Sequence, residues 1–235
     1  MDNINKFTGK RIMIAGGTSG IGLAVAQRAS IFFDQVLLVS RNAQKRSHEL
    51  KTKFKKENVK FIDADMNSRS DINGLFEETG KIDHLVITIR PELSGSTFFD
   101  IQDDQAKKAF DLKFWGQYNL LKVAALNINE GGSIVMTSGI AGQKIYKGSL
   151  VMSVINSAVE TMCRVLALEL SPLRINTVSP GFIEPKSDEI KKAAESLPLK
   201  RIAFTDEAVL AYMYLMENSY ITGTILPVDG GALIS

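Results

Sequence analysis

Ala15-Gly16-Gly17-Thr18-Ser19-Gly20-Ile21-Gly22 follows directly on the apolar run Arg11–Ala15 and leads into Leu23-Ala24-Val25-Ala26. Strand, glycine-rich turn and helix, in that order, build a cradle for phosphate. The glycines let the backbone turn tightly, approach a pyrophosphate and pack the helix against the strand. The helix N-terminus then turns unpaired N–H groups and a positive dipole end towards the anion. The spacing of Gly16, Gly20 and Gly22 is not that of G-x-G-x-x-G, and a bare glycine turn is the bland alternative. Gly16, Thr18, Ser19, Gly20, Ile21 and Gly22 are the first candidate cofactor-binding residues.

Outward from this turn, short apolar runs alternate with helical patterns to the end of the chain. Strands are expected at Arg11–Ala15, Gln35–Val39, Lys60–Ala64, His84–Ile89, Gly132–Thr137, Arg174–Val178 and Thr224–Pro227. Helices are expected at Gly20–Phe33, Asn42–Lys56, Ser70–Thr79, Asp103–Asn127, Leu150–Glu169 and Thr205–Asn218, the last opened by Thr205 as N-cap. Near-continuous hydrophobicity suits strands covered on both faces. This pattern predicts an α/β fold: one Rossmann-type, doubly wound domain over 1–235, with a seven-stranded parallel sheet flanked by helices. Residues 181–204 lack a clear strand and are expected to form a short helical lid.

A net charge of +2 on 235 residues argues against nucleic acid or an anionic membrane surface as partner. The basic stretch Lys51–Lys56 reads as the solvated end of a helix. No apolar run reads as membrane-spanning, and residues 1–10 lack the apolar core of a signal peptide. Cys163 lies in an apolar helix and reads as a small core residue, so a reducing, cytoplasmic setting is the default. His48 and His84 have no spacing that suggests a metal site.

The second strand ends in Ser40-Arg41. A carboxylate there would accept hydrogen bonds from a ribose 2′-hydroxyl and repel a 2′-phosphate, whereas a hydroxyl and a guanidinium can hold the phosphate. A solvated arginine is the alternative.

The order of elements and the motifs resemble the short-chain dehydrogenase/reductase family along nearly the whole chain. The carriers are the glycine turn, Gly132-Ser133-Ile134-Val135-Met136-Thr137-Ser138-Gly139, Asn176-Thr177-Val178-Ser179-Pro180-Gly181 and Ala158-Val159-Glu160. The resemblance implies NADP(H) as cofactor, Ser40-Arg41 being the pattern of the NADP-type members. It places Asp65 and Met66 against the adenine. It also brings Pro180, Gly181 and Ile183 to the cofactor. At four positions the chain departs from the family. Where the family's catalytic Asn, Ser, Tyr and Lys fall, it has Lys113, Gly139, Met152 and Asn156.

After the fourth strand, Ile87-Thr88-Ile89-Arg90 replaces the small residues N-N-A-G, and Pro185 takes the place of a Thr beside the nicotinamide. Arg90 could narrow that end of the site, pair with a cofactor phosphate or bind an anionic substrate; a surface arginine is equally open. Methionine has no transferable proton and asparagine no charge to tune one. The usual proton transfer therefore cannot run with these residues in these places.

Three functions remain open. The first is an NADP(H)-dependent oxidoreductase on a small carbonyl or alcohol, with Lys113, Ser138 and Tyr146 as candidate catalytic residues. Lys144 and Lys147 are weaker candidates that read as solvent-exposed. The second is an inactive nucleotide sensor or pseudoenzyme subunit. The third is an isomerase or lyase using Arg90 and Lys113 as electrostatic stabilisers. The family also implies a homo-dimer or homo-tetramer through Asp103–Asn127 and Leu150–Glu169.

Overall fold

The computed structural model describes residues 6–93, 95 and 97–235. Strands β1 (Arg11–Ala15), β2 (Gln35–Ser40), β3 (Val59–Asp63), β4 (Ile82–Ile87), β5 (Ile128–Thr137), β6 (Arg174–Pro180) and β7 (Ile225–Val228) form one sheet. Their order is β3-β2-β1-β4-β5-β6-β7, and every pairing is parallel. The expected seven-stranded architecture is present. The order reverses between β1 and β4, so their C-terminal ends open a crevice there. Open α/β sheets bind ligands in such a crevice.

Helices α1 (Gly20–Phe32), α2 (Ala43–Lys51), α3 (Arg69–Thr79), α4 (Asp103–Phe110), α5 (Gly116–Ala124), α6 (Leu150–Glu169), α7 (Asp188–Ala193) and α8 (Thr205–Glu217) complete the chain. Alternation along each strand divides the core. Met13, Leu37, Ile87 and Ile134 face the side of α3, α5 and α6. Ile12, Ile14, Val36, Val86 and Val135 face that of α1 and α8.

Four expectations need correction. The strand expected from Gly132 begins at Ile128, because polar Asn129-Glu130-Gly131 disguises its first half. Its register shifts opposite Ile82/His84, and a Cβ on Gly132 would lie 2.1 Å from the Asp83 carbonyl. The helix expected to reach Lys56 stops at Lys51. The basic run is a turn whose Lys56 Nζ donates to the Ile31 carbonyl at the end of α1 (2.7 Å).

The helix expected over Asp103–Asn127 is interrupted by a π-helical turn, Asp111–Trp115, and ends in a 3₁₀ turn. Finally, Phe204, not Thr205, caps α8: its N–H donates to the Glu207 carboxylate (2.8 Å), which also pairs with Arg201 at 2.7 Å. These contacts hold the Glu207 carboxyl down at about 2.

By length and composition α6 is apolar enough to cross a bilayer, contrary to expectation. It packs a stripe of Val151, Ile155, Val159, Cys163 and Ala167 into the core.

Candidate functional site

The glycine turn sits at the β1/β4 crevice. Gly16 has φ +83°, and a Cβ there would lie 3.0 Å from the Thr88 backbone. A Cβ on Gly22 would fall 2.3 Å from Thr88 Oγ1, so the turn closes onto the end of β4 only with glycine in place. Gly20 has nothing within 4 Å of an added Cβ, which leaves the outer side of the turn open. Ser19 caps α1 without a side-chain bond, so its hydroxyl does not consume the first-turn N–H groups. The cradle fits a phosphate.

Buried Thr18 donates weakly to Ser40 Oγ (3.3 Å), joining the turn to the end of β2. Arg41 is exposed beside it. Arg46, on the first turn of α2, donates to the Thr18 carbonyl (2.9 Å) and is a second guanidinium at this edge. Sequence reasoning missed it because it looked like one more cation on a basic helix. Asp65 accepts the Asn67 N–H (2.9 Å) in a tight local turn, while the Met66 side chain is buried in the core. Asp63 is occupied in accepting the Gln44 N–H (2.8 Å).

The π-helical turn positions Lys113. Its closing bond runs from the Gly116 N–H to the Asp111 carbonyl, five residues back, and buried Gln117 donates to the Lys113 carbonyl (2.8 Å). An inserted residue of this kind re-aims the side chains around it, and such bulges recur at functional sites. Lys113 is 4% exposed, and its Nζ donates to the Ser138 carbonyl (2.8 Å) and to Asn156 Oδ1 (2.7 Å). Burial, with the charge of Arg90 in support, lowers its pKa from 10.5 to about 7; Glu160 acts the other way.

Asn156 lies on the inward face of α6. A Cβ on Gly139 would approach its Nδ2 to 3.0 Å, and one on Gly142 its Cβ to 2.9 Å. Both glycines therefore let the end of β5 close on α6.

Ser138 points its hydroxyl away from this pair, donating to Glu160 Oε1 (2.9 Å). The Tyr146 hydroxyl is buried with no hydrogen-bond partner among the described residues, and its ring packs edge-on to Phe182. Met152 packs against the core. Lys144, expected in solvent, donates to the Ala232 carbonyl (2.7 Å) and to Ser235.

Pro180 ends β6, and the Gly181 N–H reaches the Val228 carbonyl (2.9 Å). A Cβ on Gly181 would meet Asp229 Cα at 2.9 Å. Ile183 is buried and bridges to Ala203. Arg90 is exposed and without an ion pair among the described residues; the pKa of Lys186 is lowered by burial and, secondarily, by the charge of Arg90.

His84 is a core residue: its Nδ1 lies 2.9 Å from Ser133 Oγ, between the edges of Phe7 and Phe33, and burial pushes its pKa down to about 3. Cys163 is buried against the Ile175 carbonyl, and its thiol is pushed up to about 11. Among the described residues no cluster of three His, Cys, Asp or Glu could hold a metal.

A family model described as enoyl-(acyl carrier protein) reductase matches residues 15–232. The chain is 33% identical to the short-chain dehydrogenase/reductase ATR9 of Stachybotrys chlorohalonatus, over 96% of this chain and 98% of that protein. The chain belongs to the short-chain dehydrogenase/reductase family. The chain is also similar to the chloroplastic NADPH-dependent aldehyde reductase 1 of Arabidopsis thaliana, 29% identical over 98% of this chain and 88% of that protein. The crystal structure of a small-chain dehydrogenase in complex with NADPH superposes with a TM-score of 0.80. It is 30% identical and covers 96% of this chain and 99% of its own. The glycine turn and the β4, β5 and β6 ends described above all lie within the span matched by the family model.

Proposed function

We propose that this chain is an NADP(H)-dependent oxidoreductase acting on a small carbonyl compound or the corresponding alcohol, with Lys113 as its acid/base group. The buried Lys113 ammonium, held by the Ser138 carbonyl and Asn156 at the C-terminal end of the sheet, carries this reading. In the family's pattern these two positions hold Asn and Lys. Here the two residue types have exchanged places and still touch, so the lysine is kept but approaches from the π-helical turn instead of α6.

The cofactor, when bound, supplies the hydride. Lys113 bonds two acceptors through Nζ, which leaves a third N–H to give its proton to a developing alkoxide; the amine then regains a proton from water. A donor with pKa about 7 suits this role near neutral pH. Arg90, without an ion pair among the described residues and close enough to lower the pKa of Lys186 beyond the effect of burial, favours a substrate carrying an anionic group. Assay of NADPH consumption at 340 nm over a panel of aldehydes and ketones tests the reading. No turnover with any of them would favour a nucleotide-binding sensor or pseudoenzyme. The hydroxyls of Ser138 and Tyr146, both turned to other surroundings, are the observation on that side.

NADPH is expected to bind in preference to NADH, since Ser40, Arg41 and Arg46 lie at the end of β2 and the neighbouring Asp63 carboxylate is engaged by the Gln44 N–H. Arg41→Ala should remove charge-assisted bonds and weaken NADPH binding by about ten- to a hundredfold. NADH binding should stay unchanged, and an equal loss for both cofactors in a calorimetric titration would refute the assignment.

A homo-oligomer is expected through α4, α5 and α6. An open apolar groove, lined by Phe98, Phe114, Tyr118, Val154, Met162 and Val165, runs along the outer face of α6. Val154, Val165 and Leu168 are 47%, 45% and 81% exposed, more apolar surface than a helix with only a sheet-facing stripe presents. Light scattering should give a dimer or tetramer at micromolar concentration, and Val165→Glu should shift it to monomer. A wild-type monomer would contradict this.

A further inference from the structure

Among the described residues Lys113 is the buried lysine and Glu160 the buried carboxylate. They lie on opposite sides of Ser138. The Ser138 carbonyl accepts from Lys113 Nζ (2.8 Å), and its hydroxyl donates to Glu160 Oε1 (2.9 Å). Gln143 Nε2 (3.0 Å) and, more weakly, Ser179 Oγ (3.4 Å) also donate to the same oxygen. Asn156 and Glu160 stand one helical turn apart on α6 and share a face. One of them gives Lys113 a neutral acceptor at contact, the other a charge at a distance.

Burying an ammonium without an opposite charge is costly, and the usual outcome is loss of its proton. Arg90, beyond the end of β4, pushes Lys113 further in that direction. The remaining groups in hydrogen-bond contact with the amine are neutral: the Ser138 carbonyl from β5 and Asn156 from α6. Against Glu160 itself lie the neutral Ser138, Gln143 and Ser179, with the Cys163 thiol on the same helix.

We infer that Glu160 is a positioning residue for Lys113. Its carboxylate is the counter-charge that keeps a proton on the buried amine, and through the Ser138 hydroxyl it fixes the carbonyl that orients that amine. This rests on the proposed role of Lys113 and deepens it. Three donors on one carboxylate oxygen anchor the charge, so it cannot swing into contact and form a tight ion pair. Such a pair would hold the proton too firmly for transfer at neutral pH.

The test reads Lys113 directly, without turnover. In protein with 13C-labelled lysine ε-carbons, the Lys113 resonance is identified by its absence in Lys113→Met, and its titration should centre near 7. In Glu160→Gln, which keeps shape and an acceptor but removes the charge, that midpoint should fall by roughly one pH unit. Glu160→Asp, which keeps the charge, should bring it back towards the wild-type value. If Glu160→Gln does not fold, the wild-type Glu160 carboxyl carbon provides a second measurement. It should show a step at the Lys113 midpoint, and Lys113→Met should abolish that step.

A Lys113 midpoint unmoved or raised in folded Glu160→Gln, or no such step on the Glu160 carbon, would overturn the inference. A Lys113 that titrates near 10 in the wild type would instead overturn the acid/base assignment.

Discussion

Lys113→Met is expected to lower carbonyl reduction by about 10²–10⁴-fold, the usual cost of losing a general acid or base. NADPH affinity should stay as it is, because the side chain lies under the ends of β5 and α6 and makes no contact with the glycine turn or with Ser40, Arg41 or Arg46. In the reductive direction the reactive form is the ammonium. The kcat/KM for reduction should therefore be level below about 7 and fall about tenfold per pH unit above it. Alcohol oxidation needs the free amine and should show the opposite limb. Steady-state rates between pH 5 and 10 in both directions, beside a titration of NADPH, separate these effects. Turnover that survives Lys113→Met would move the proton-donor role elsewhere.

The sheet and its nucleotide turn were legible because their signals are local. Continuous apolar runs such as Gln35–Val39 and a glycine turn between strand and helix need no partner to be recognised. The contact between Lys113 and Asn156 was not visible in sequence, where each was read at its own place as a departure from the resemblance. They are 43 residues apart, and no periodicity reports that they touch. The π-helical turn was hidden because one extra residue leaves the apolar pattern of a long helix almost intact. Glu160 was read only as part of the Ala158-Val159-Glu160 motif that carries the resemblance, with no role of its own. Its role depends on Ser138, Gln143 and Ser179, which reach it from two strand ends and a loop. Arg46 was passed over and Lys144 misjudged for a related reason. A cation's partner can be a backbone carbonyl, here of Thr18 and of Ala232, and carbonyls carry no signature in sequence.

The same lysine should leave a mark on folding. Its ordinary pKa of 10.5 in the unfolded chain becomes about 7 in the native protein, so between those values the unfolded state binds the extra proton. Stability therefore rises with pH across that window, by about 1.4 kcal/mol per unit and on the order of 5 kcal/mol in all. Below about 7 both states carry the charge, and the full burial cost is present and constant. Lys113→Met removes that dependence but strands the Ser138 carbonyl and Asn156 Oδ1, at a loss of about 1–3 kcal/mol for each unsatisfied group. The two effects nearly offset one another at neutral pH, where the variant's stability should differ from the wild type by no more than a few kcal/mol.

At pH 10 the balance is different. The wild type has regained most of the burial cost, and the variant has not recovered its two acceptors, so the wild type should be clearly the more stable. Urea unfolding of both proteins at pH 6, 7, 8, 9 and 10 reads the difference directly. Other titrating groups act equally on both and cancel. A difference between the two proteins that stays flat with pH would mean that Lys113 is not held near neutrality, and the proton-donor role would fall with it.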